Sequence, residues 1–477
     1  MYHIYQSLIA SADQYPDQIA IIDERGELTY GNLLTQVNAL KNNLTKQNIG
    51  TGMTVGILTA NNRDFVICMY AALASGAVVM PIFHQQKPQE IVKATEEAGL
   101  HVIISDRVER LQILDERAFS VGEKEVYYFA RLNRTVEENL VQHFPNPAFI
   151  RFTSGTTGEA KGVVVSHEAV LERIQAANEA LQITPEDRIL WVFPMAYHFM
   201  VSIVLYLANA ATIVINNDFM AEEIIRSIVT HQVTFFYCSP MHLKLLTTYE
   251  SARPMPSLQR VVSTTTGVSA AVCTAFQEKY QLPVHQAFGI IEIGLPIVNK
   301  ANAALYPDAV GLPLSAYEVK ILDESGHELP PNSIGRLGIK GPGMFSGYLK
   351  SPRSKEELLE SGFFMTGDLA VMDDSGIVTI KGRDKDVIIV HGNKAFPTEI
   401  EQVINTYPEI KMSRAFGQAH PLLGEIVVAE VIAAVPIESE KLIAHCRKQL
   451  SSFKVPQRIM QVERIEMTGS GKIKRVF

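Results

Sequence analysis

The sequence predicts an α/β fold with a smaller β-rich region and a short α+β C-terminal part. Three observations predict it. Strands and helices alternate over the first 140 residues, short alternating strands crowd Val310 to Lys381, and a fresh run of strands and helices starts after Arg383. At about 150 residues per domain, the 477 residues allow roughly three domains or subdomains. An apolar content of 47% with 20% charged residues supports large cores and excludes low-complexity disorder. The formal charge of −8 argues against a nucleic-acid partner, which takes a basic surface.

The elements follow in order. IAIID at 19–23 is a strand, and the amphipathic run 30–47 a helix. TVGILTA at 54–60, VVMPIF at 78–83 and HVIISD at 101–106 are strands, separated by helices over 64–75 and 87–99. Such alternation argues for a parallel sheet, and the continuous apolar strands fit burial on both faces. Ile189 to Asn217 carries no charge, but Pro194, Tyr197, His198 and Asn209 interrupt it. It reads as strand, turn, helix and strand in a core, with no membrane span. TFFYCS, LQRVVST and VHQAFG continue the pattern to Gly289. YEVKILD, GRLGIKG and GIVTIKG then read as a small antiparallel β region. DVIIV, a helix at 398–406, SRAFGQ, EIVVAEVIAA and a helix at 438–450 make the C-terminal α+β part. Cys68, Cys238, Cys273 and Cys446 form no C-x-x-C motif and sit among apolar or small residues, so buried, inert thiols in a reducing cytoplasm are expected. The first residues lack the basic and apolar segments of a signal peptide.

One segment carries the chemistry. The strand FIRF at 149–152 runs into Thr153, Ser154, Gly155, Thr156, Thr157, Gly158, Glu159, Ala160, Lys161 and Gly162. The glycines let backbone N–H groups approach a ligand, the hydroxyls add donors, and Lys161 adds a positive charge. This combination suits a polyphosphate. It is not a Walker A loop, because Lys161 follows Ala160 and precedes Gly162. No G-x-G-x-x-G fingerprint is present.

With TSGTTGEAKGVVVSH go LTYGNLL at 28–34, NNRDFVICMYAALASGAVVMPI at 61–82, SGFFMTGDLAV at 361–371, GRDKDVIIVHGNKAFPTEIE at 382–401 and GSGKIKR at 469–475. In this order the chain resembles the adenylate-forming enzymes: acyl-CoA synthetases, peptide-synthetase adenylation domains and firefly-type luciferases. The resemblance implies a large N-terminal AMP-binding domain, 1–383, of two stacked α/β subdomains with a small β-barrel-like subdomain at about 310–383. A small mobile α+β domain, 384–477, would carry the catalytic lysine.

The same resemblance implies roles for single residues. Thr153 to Gly158 and Lys161 would hold the phosphates. Asp368 would hold the ribose hydroxyls, Arg383 would contact the ribose side, and Phe288 would stack on adenine beside Gly289, Thr266 and Gly267. Glu292 would contact Mg²⁺ on the phosphates, and an acid between isoleucines is costly to bury unless it has such a partner. Lys472 would reach the α-phosphate and the substrate carboxylate. Lys385 would be the hinge, and the loop of Gly392, Asn393 and Lys394 would line the thiol path.

The chain departs from the family pattern in places. Ile291 stands where a threonine is usual, Glu466 where proline is common, and Thr264 to Thr266 where glycines are usual. None of these removes a charged catalytic group; the threonines would narrow the acyl pocket or change its polarity. That pocket would be lined by Tyr197, His198, Met200 and Thr265, in a segment most like those of aryl-acid and medium-acid activators. His198 either orients a polar group of the acid or is a hydrogen-bonded core histidine. No carboxylate lies between Arg188 and Asp218, which disfavours an α-amino acid because its ammonium would stay unpaired.

The activity implied is that of an ATP-dependent acid:thiol ligase, with ATP, Mg²⁺ and coenzyme A. The alternative acceptor is the phosphopantetheine of a separate acyl carrier protein. A weakly catalytic nucleotide-binding homologue is the reading of another class, motivated by Ile291 and the threonines.

Overall fold

Several helices begin where the sequence supplies a side-chain cap. Thr29 accepts from the Asn32 N–H and opens helix Tyr30–Lys46; Ser166 accepts from the Ala169 N–H and opens helix His167–Leu181. Each satisfies a backbone donor that the first turn leaves orphaned. The computed structural model of the chain describes residues 3–111, 118–120, 127–132, 140–153, 161–251, 253–351, 353–420, 424–467, 473 and 475. By contacts the chain forms two compact units. The first is Met1–Pro307 with Leu314–Glu318 and Lys340–Leu358; the second is Asp308–Pro313 with Val319–Ile339 and Leu359–Phe477.

The first unit holds two large sheets. In one, the strands run in the order Gly294–Val298, Val284–Ile290, Arg260–Ser263, Phe235–Cys238, Arg188–Trp191, Thr212–Ile215, Ile19–Asp23 and Gly26–Thr29. The other runs Gly347–Tyr348, Lys161–Ser166, Pro147–Thr153, Val78–Pro81, Thr54–Leu58, Val102–Ser105, Tyr128–Arg131 and Ala118–Ser120. Both have parallel centres, as the alternating pattern predicts. Antiparallel pairs flank them.

One connection was not legible in the sequence. The strand Ile19–Asp23 does not join Thr54–Leu58, the next strand that the sequence predicts; it pairs in parallel with Thr212–Ile215, placing Ile21 opposite Ile213. A buried ion pair ties that strand to the helix Arg63–Ala74, with Arg63 Nε 2.9 Å from Asp23 Oδ2. Burial pushes the Asp23 carboxyl up, but its bonds from Arg63 and Arg25 outweigh this and hold it below its ordinary value.

The uncharged run after Arg188 forms a strand, a short helix Met195–His198, a π-turn Phe199–Ile203, a helix Val204–Ala208 and the strand Thr212–Ile215. Phe199 of the π-turn packs between Phe65, Tyr70 and Phe149. No helix among the described residues is long and apolar enough to cross a membrane. All four cysteines are buried and free.

The second unit holds an antiparallel sheet in the order Glu318–Leu322, Gly335–Lys340, Phe364–Met372 and Val378–Arg383. It also holds a five-stranded sheet built on the long pair Ile410–His420 and Gly424–Ala433. Helices Pro397–Ile404 and Ser439–Arg447 supply Ile400, Ile404, Leu442 and Cys446 to the core of that sheet.

Candidate active site

The strands Pro147–Thr153 and Lys161–Ser166 pair antiparallel, with Thr153 opposite Lys161. Ser154, Gly155, Thr156, Thr157 and Gly158, which join them, lie outside the described residues, as does the side chain of Thr153. Lys161 is exposed, and its Nζ stands 4.9 Å from the centroid of the Tyr348 ring. Tyr348 sits on the neighbouring edge strand, opposite Val163. Its Oη donates to Glu292 Oε1 at 3.1 Å. Burial, and then the Glu292 charge, push the Tyr348 phenol well above its ordinary range, so it stays a donor.

Glu292 occupies the turn between strands Val284–Ile290 and Gly294–Val298. Gly294 closes that turn at φ +110°, and a Cβ there would come within 3.0 Å of Arg173 Cβ, so only glycine fits. The fully buried Arg173 holds the turn in place. It donates to Ile291 O at 3.0 Å and to Gly343 O at 2.9 Å. Burial lowers its guanidinium to about 10, against the opposing pull of Tyr317, Glu292 and Glu172. The backbone N–H of Phe345 donates to Glu292 O at 2.7 Å. Phe288 is half-buried on the same hairpin, with Gly289 exposed beside it. Three residues distant in sequence, Lys161, Glu292 and Tyr348, thus meet.

The threonine loop follows strand Arg260–Ser263. Thr264 is buried and its N–H donates to Cys238 O at 3.0 Å; Thr266 and Gly267 are exposed. Thr265 sits at φ +79°. A β-branched residue in this left-handed region is strained, which explains why glycine would be the natural occupant.

Tyr197 and His198 lie on the short helix before the π-turn, both half-buried, whereas Met200 is 3% exposed and packed in the core. Tyr197 lies 5.3 Å from the Phe83 ring. His198 stacks on Phe193 at 4.6 Å and meets Trp191 and Tyr237 edge-on.

In the second unit, the TGD triplet lies within a strand. Thr366, Gly367 and Asp368 bulge from the nine-residue strand Phe364–Met372, since Arg336 faces Leu369 while Gly338 faces Met365. Gly367 adopts φ +75° there, and such bulges re-aim side chains. Asp368 faces Arg383 across the sheet, with Arg383 Nε 2.9 Å from its Oδ1. Thr366 braces both: its Oγ1 accepts from the Asp368 N–H at 3.1 Å and its carbonyl accepts from Arg383 Nη1 at 3.1 Å.

Lys385 is exposed on the single turn Asp384–Asp386 that follows Arg383, and Gly392, Asn393 and Lys394 are exposed beyond it. Lys472 lies outside the described residues; Met467 and Ile473 on either side of it form an antiparallel bridge. Arg475 is anchored to Glu401 at 2.7 Å and to Asp386 at 3.5 Å.

No cluster of three or more His, Cys, Asp or Glu side chains suited to a metal occurs among the described residues. A magnesium ion that draws most of its oxygens from phosphates and water needs only one or two carboxylates, and Glu292 fits that demand. Tyr348 and Thr366 were missed by sequence reasoning. Tyr348 lies 56 residues from its partner Glu292, and no spacing rule connects them.

The fold agrees with comparison to known proteins. Residues 8–349 match the model of the AMP-binding enzyme family, and residues 399–472 match that of its C-terminal domain. The chain belongs to the AMP-binding enzyme family. It is similar to a putative acyl-CoA ligase of Bacillus subtilis, with 28% identity over 94% of this chain and 93% of the relative. It is also similar to a 2-succinylbenzoate–CoA ligase of Bacillus licheniformis, with 26% identity over 97% of each. Among solved structures, the o-succinylbenzoate CoA synthetase of Bacillus subtilis in complex with its acyl-adenylate intermediate matches with a TM-score of 0.85. That match has 22% identity and covers 98% of this chain and 96% of that one.

Proposed function

We propose that this enzyme activates a carboxylic acid with ATP to an acyl-adenylate, releases pyrophosphate, and transfers the acyl group to the thiol of coenzyme A with release of AMP. The observation that carries the proposal is the meeting of Lys161, Tyr348 and Glu292 at the root of the hydroxyl- and glycine-rich segment. The names of the relatives, which include acyl-CoA and 2-succinylbenzoate–CoA ligases, support the acid and the acceptor.

A carboxylate is a poor electrophile, and its conversion to a mixed anhydride supplies a leaving group. A carboxylate oxygen attacks the α-phosphorus in line, the α–β bridge breaks, and pyrophosphate departs. Thr153 to Gly158 and Lys161 hold the departing phosphates. Lys161 reaches them by leaving the Tyr348 ring, a contact worth about 0.5–1 kcal/mol at an exposed site. Glu292, oriented by the Tyr348 hydroxyl, holds the magnesium. When bound, magnesium offsets the phosphate charge that builds up in the transition state. Asp368 and Arg383 take the ribose, and Phe288, Gly289, Thr266 and Gly267 the adenine. Tyr197, His198, Met200 and Thr265 bound the acid.

Lys472, in a C-terminal domain 384–477 that turns at Lys385, adds the positive charge the first step needs. The thiol then attacks the acyl carbon and AMP leaves. Acid-dependent exchange of labelled pyrophosphate into ATP tests the whole reading, and Lys472→Ala tests the two-step assignment. The variant is expected to lose exchange by roughly 100-fold or more while keeping thioester formation from supplied acyl-adenylate. Equal loss in both assays would sink the assignment.

A further inference from the structure

We propose that Arg151 determines acid specificity by receiving a second anionic group of the substrate, so that the preferred acid carries a carboxylate remote from the one activated. The proposal rests on the reading of the Tyr197 segment as the acid site.

Arg151 stands two residues before Thr153 on the same strand. Alternate residues of a strand share a face and rise about 3.3 Å each, so Arg151 lies roughly 7 Å down the strand from the phosphate-holding segment. Its face is the one turned to the Tyr197 segment. Phe149 on that face packs on Phe199, and Arg151 itself meets Ala196 and Tyr197. Ile150 and Phe152 point the other way, into the core beneath Leu349.

The partners of Arg151 are neutral. One guanidinium N–H donates to the Ala196 carbonyl, and the cation lies 4.3 Å from the Tyr197 ring centroid. Three other buried or partly buried arginines of this unit have acids near them. Arg63 holds Asp23 and Arg260 holds Asp187, while Arg173 lies in the field of Glu292 and Glu172. No carboxylate of the described residues forms an ion pair with Arg151. Burial lowers its guanidinium to about 10, with only Tyr197 opposing. A half-buried cation with neutral partners can take an anion, and a planar guanidinium suits a carboxylate.

A second observation concerns the residues beside Ala196. Thr59, Asn61, Phe83, His84 and Met195 pack closely there, with no room between them for a water molecule. Thr59 Oγ1 is buried among them without a hydrogen-bond partner. Burial, then Arg110 and Arg107, bias the nearby His84 toward its neutral form, with Asp106 opposing. None of the residues packed beside Ala196 is a carboxylate, a setting that suits an anion. The absence of any acid between Arg188 and Asp218 points the same way.

The test is pyrophosphate exchange with matched acids on one carbon skeleton, such as pentanoate against glutarate and benzoate against phthalate. Wild type is expected to favour the diacid of a pair by about tenfold or more in kcat/KM. Arg151→Met should remove about 30- to 100-fold for the diacid and leave the monoacid within threefold; Arg151→Lys should fall between. Equal loss for both acids, or a raised KM for ATP with both, would make Arg151 a structural or nucleotide-binding group and overturn the proposal. Wild-type preference for monoacids overturns it without any variant. Exchange with no acid at all would instead overturn the proposed function.

Discussion

Cations are held in two ways in this protein. Around Arg383 and Arg475 in the second unit, each guanidinium is clasped by carboxylates of the chain: Asp368 for the one, Glu401 and Asp386 for the other. At the candidate site of the first unit, Lys161 and Arg151 rest on the rings of Tyr348 and Tyr197. Between Arg475 and Lys161 the difference separates framework from working charge. A clasped buried cation costs about 3–5 kcal/mol to unpair, so it fixes geometry. A ring-held cation is released for about 0.5–2 kcal/mol, so an incoming phosphate or carboxylate can take it over.

The largest effect that would sharpen this contrast is on stability. Arg475→Ala leaves Glu401 buried, and should cost about 3 kcal/mol in urea unfolding, whereas the Arg151→Met enzyme should lose less than about 1 kcal/mol. The Arg475 loss should also depend on pH. Burial holds the Glu401 carboxyl above its ordinary value, with Arg475 and the Ala415 N–H opposing. The folded state therefore keeps that proton to higher pH than the unfolded state. The stability so gained is full below the ordinary glutamate range and is lost as pH rises through the raised folded value. Without Arg475 the folded value climbs further, so the variant should be hurt more at pH 8 than at pH 5.5. A pH-independent cost would break the comparison at its framework end.

A smaller effect concerns the working end. Tyr348→Phe keeps the ring beneath Lys161 and removes the hydroxyl from Glu292. The rate of pyrophosphate exchange should fall about 3- to 10-fold with KM for ATP unchanged, while Tyr348→Leu should also alter KM for ATP. Identical kinetics in the two variants would show that the ring does nothing for Lys161. The smallest effect tests strain beside the pocket. Thr265→Gly relieves the φ +79° backbone and should stabilise by up to about 1 kcal/mol; destabilisation in urea would show that no strain resides there.

The sequence by itself determined the elements and the chemistry-bearing types. Continuous apolar runs marked the strands 54–60, 78–83 and 101–106, and amphipathic runs the helices between them, because burial leaves a local pattern along the chain. The density of hydroxyls and glycines around Lys161 led to the proposed polyphosphate grip, and the ordered motifs marked the family. It did not reveal the bulge at the TGD triplet, because a bulge depends on register against a neighbouring strand. Tertiary structure alone decided that Ile19–Asp23 joins a strand near residue 213, that Tyr348 reaches Glu292, and that Arg151 meets only neutral partners. Pairing and desolvation are set by residues far apart in the chain, and neither leaves a periodic trace in it.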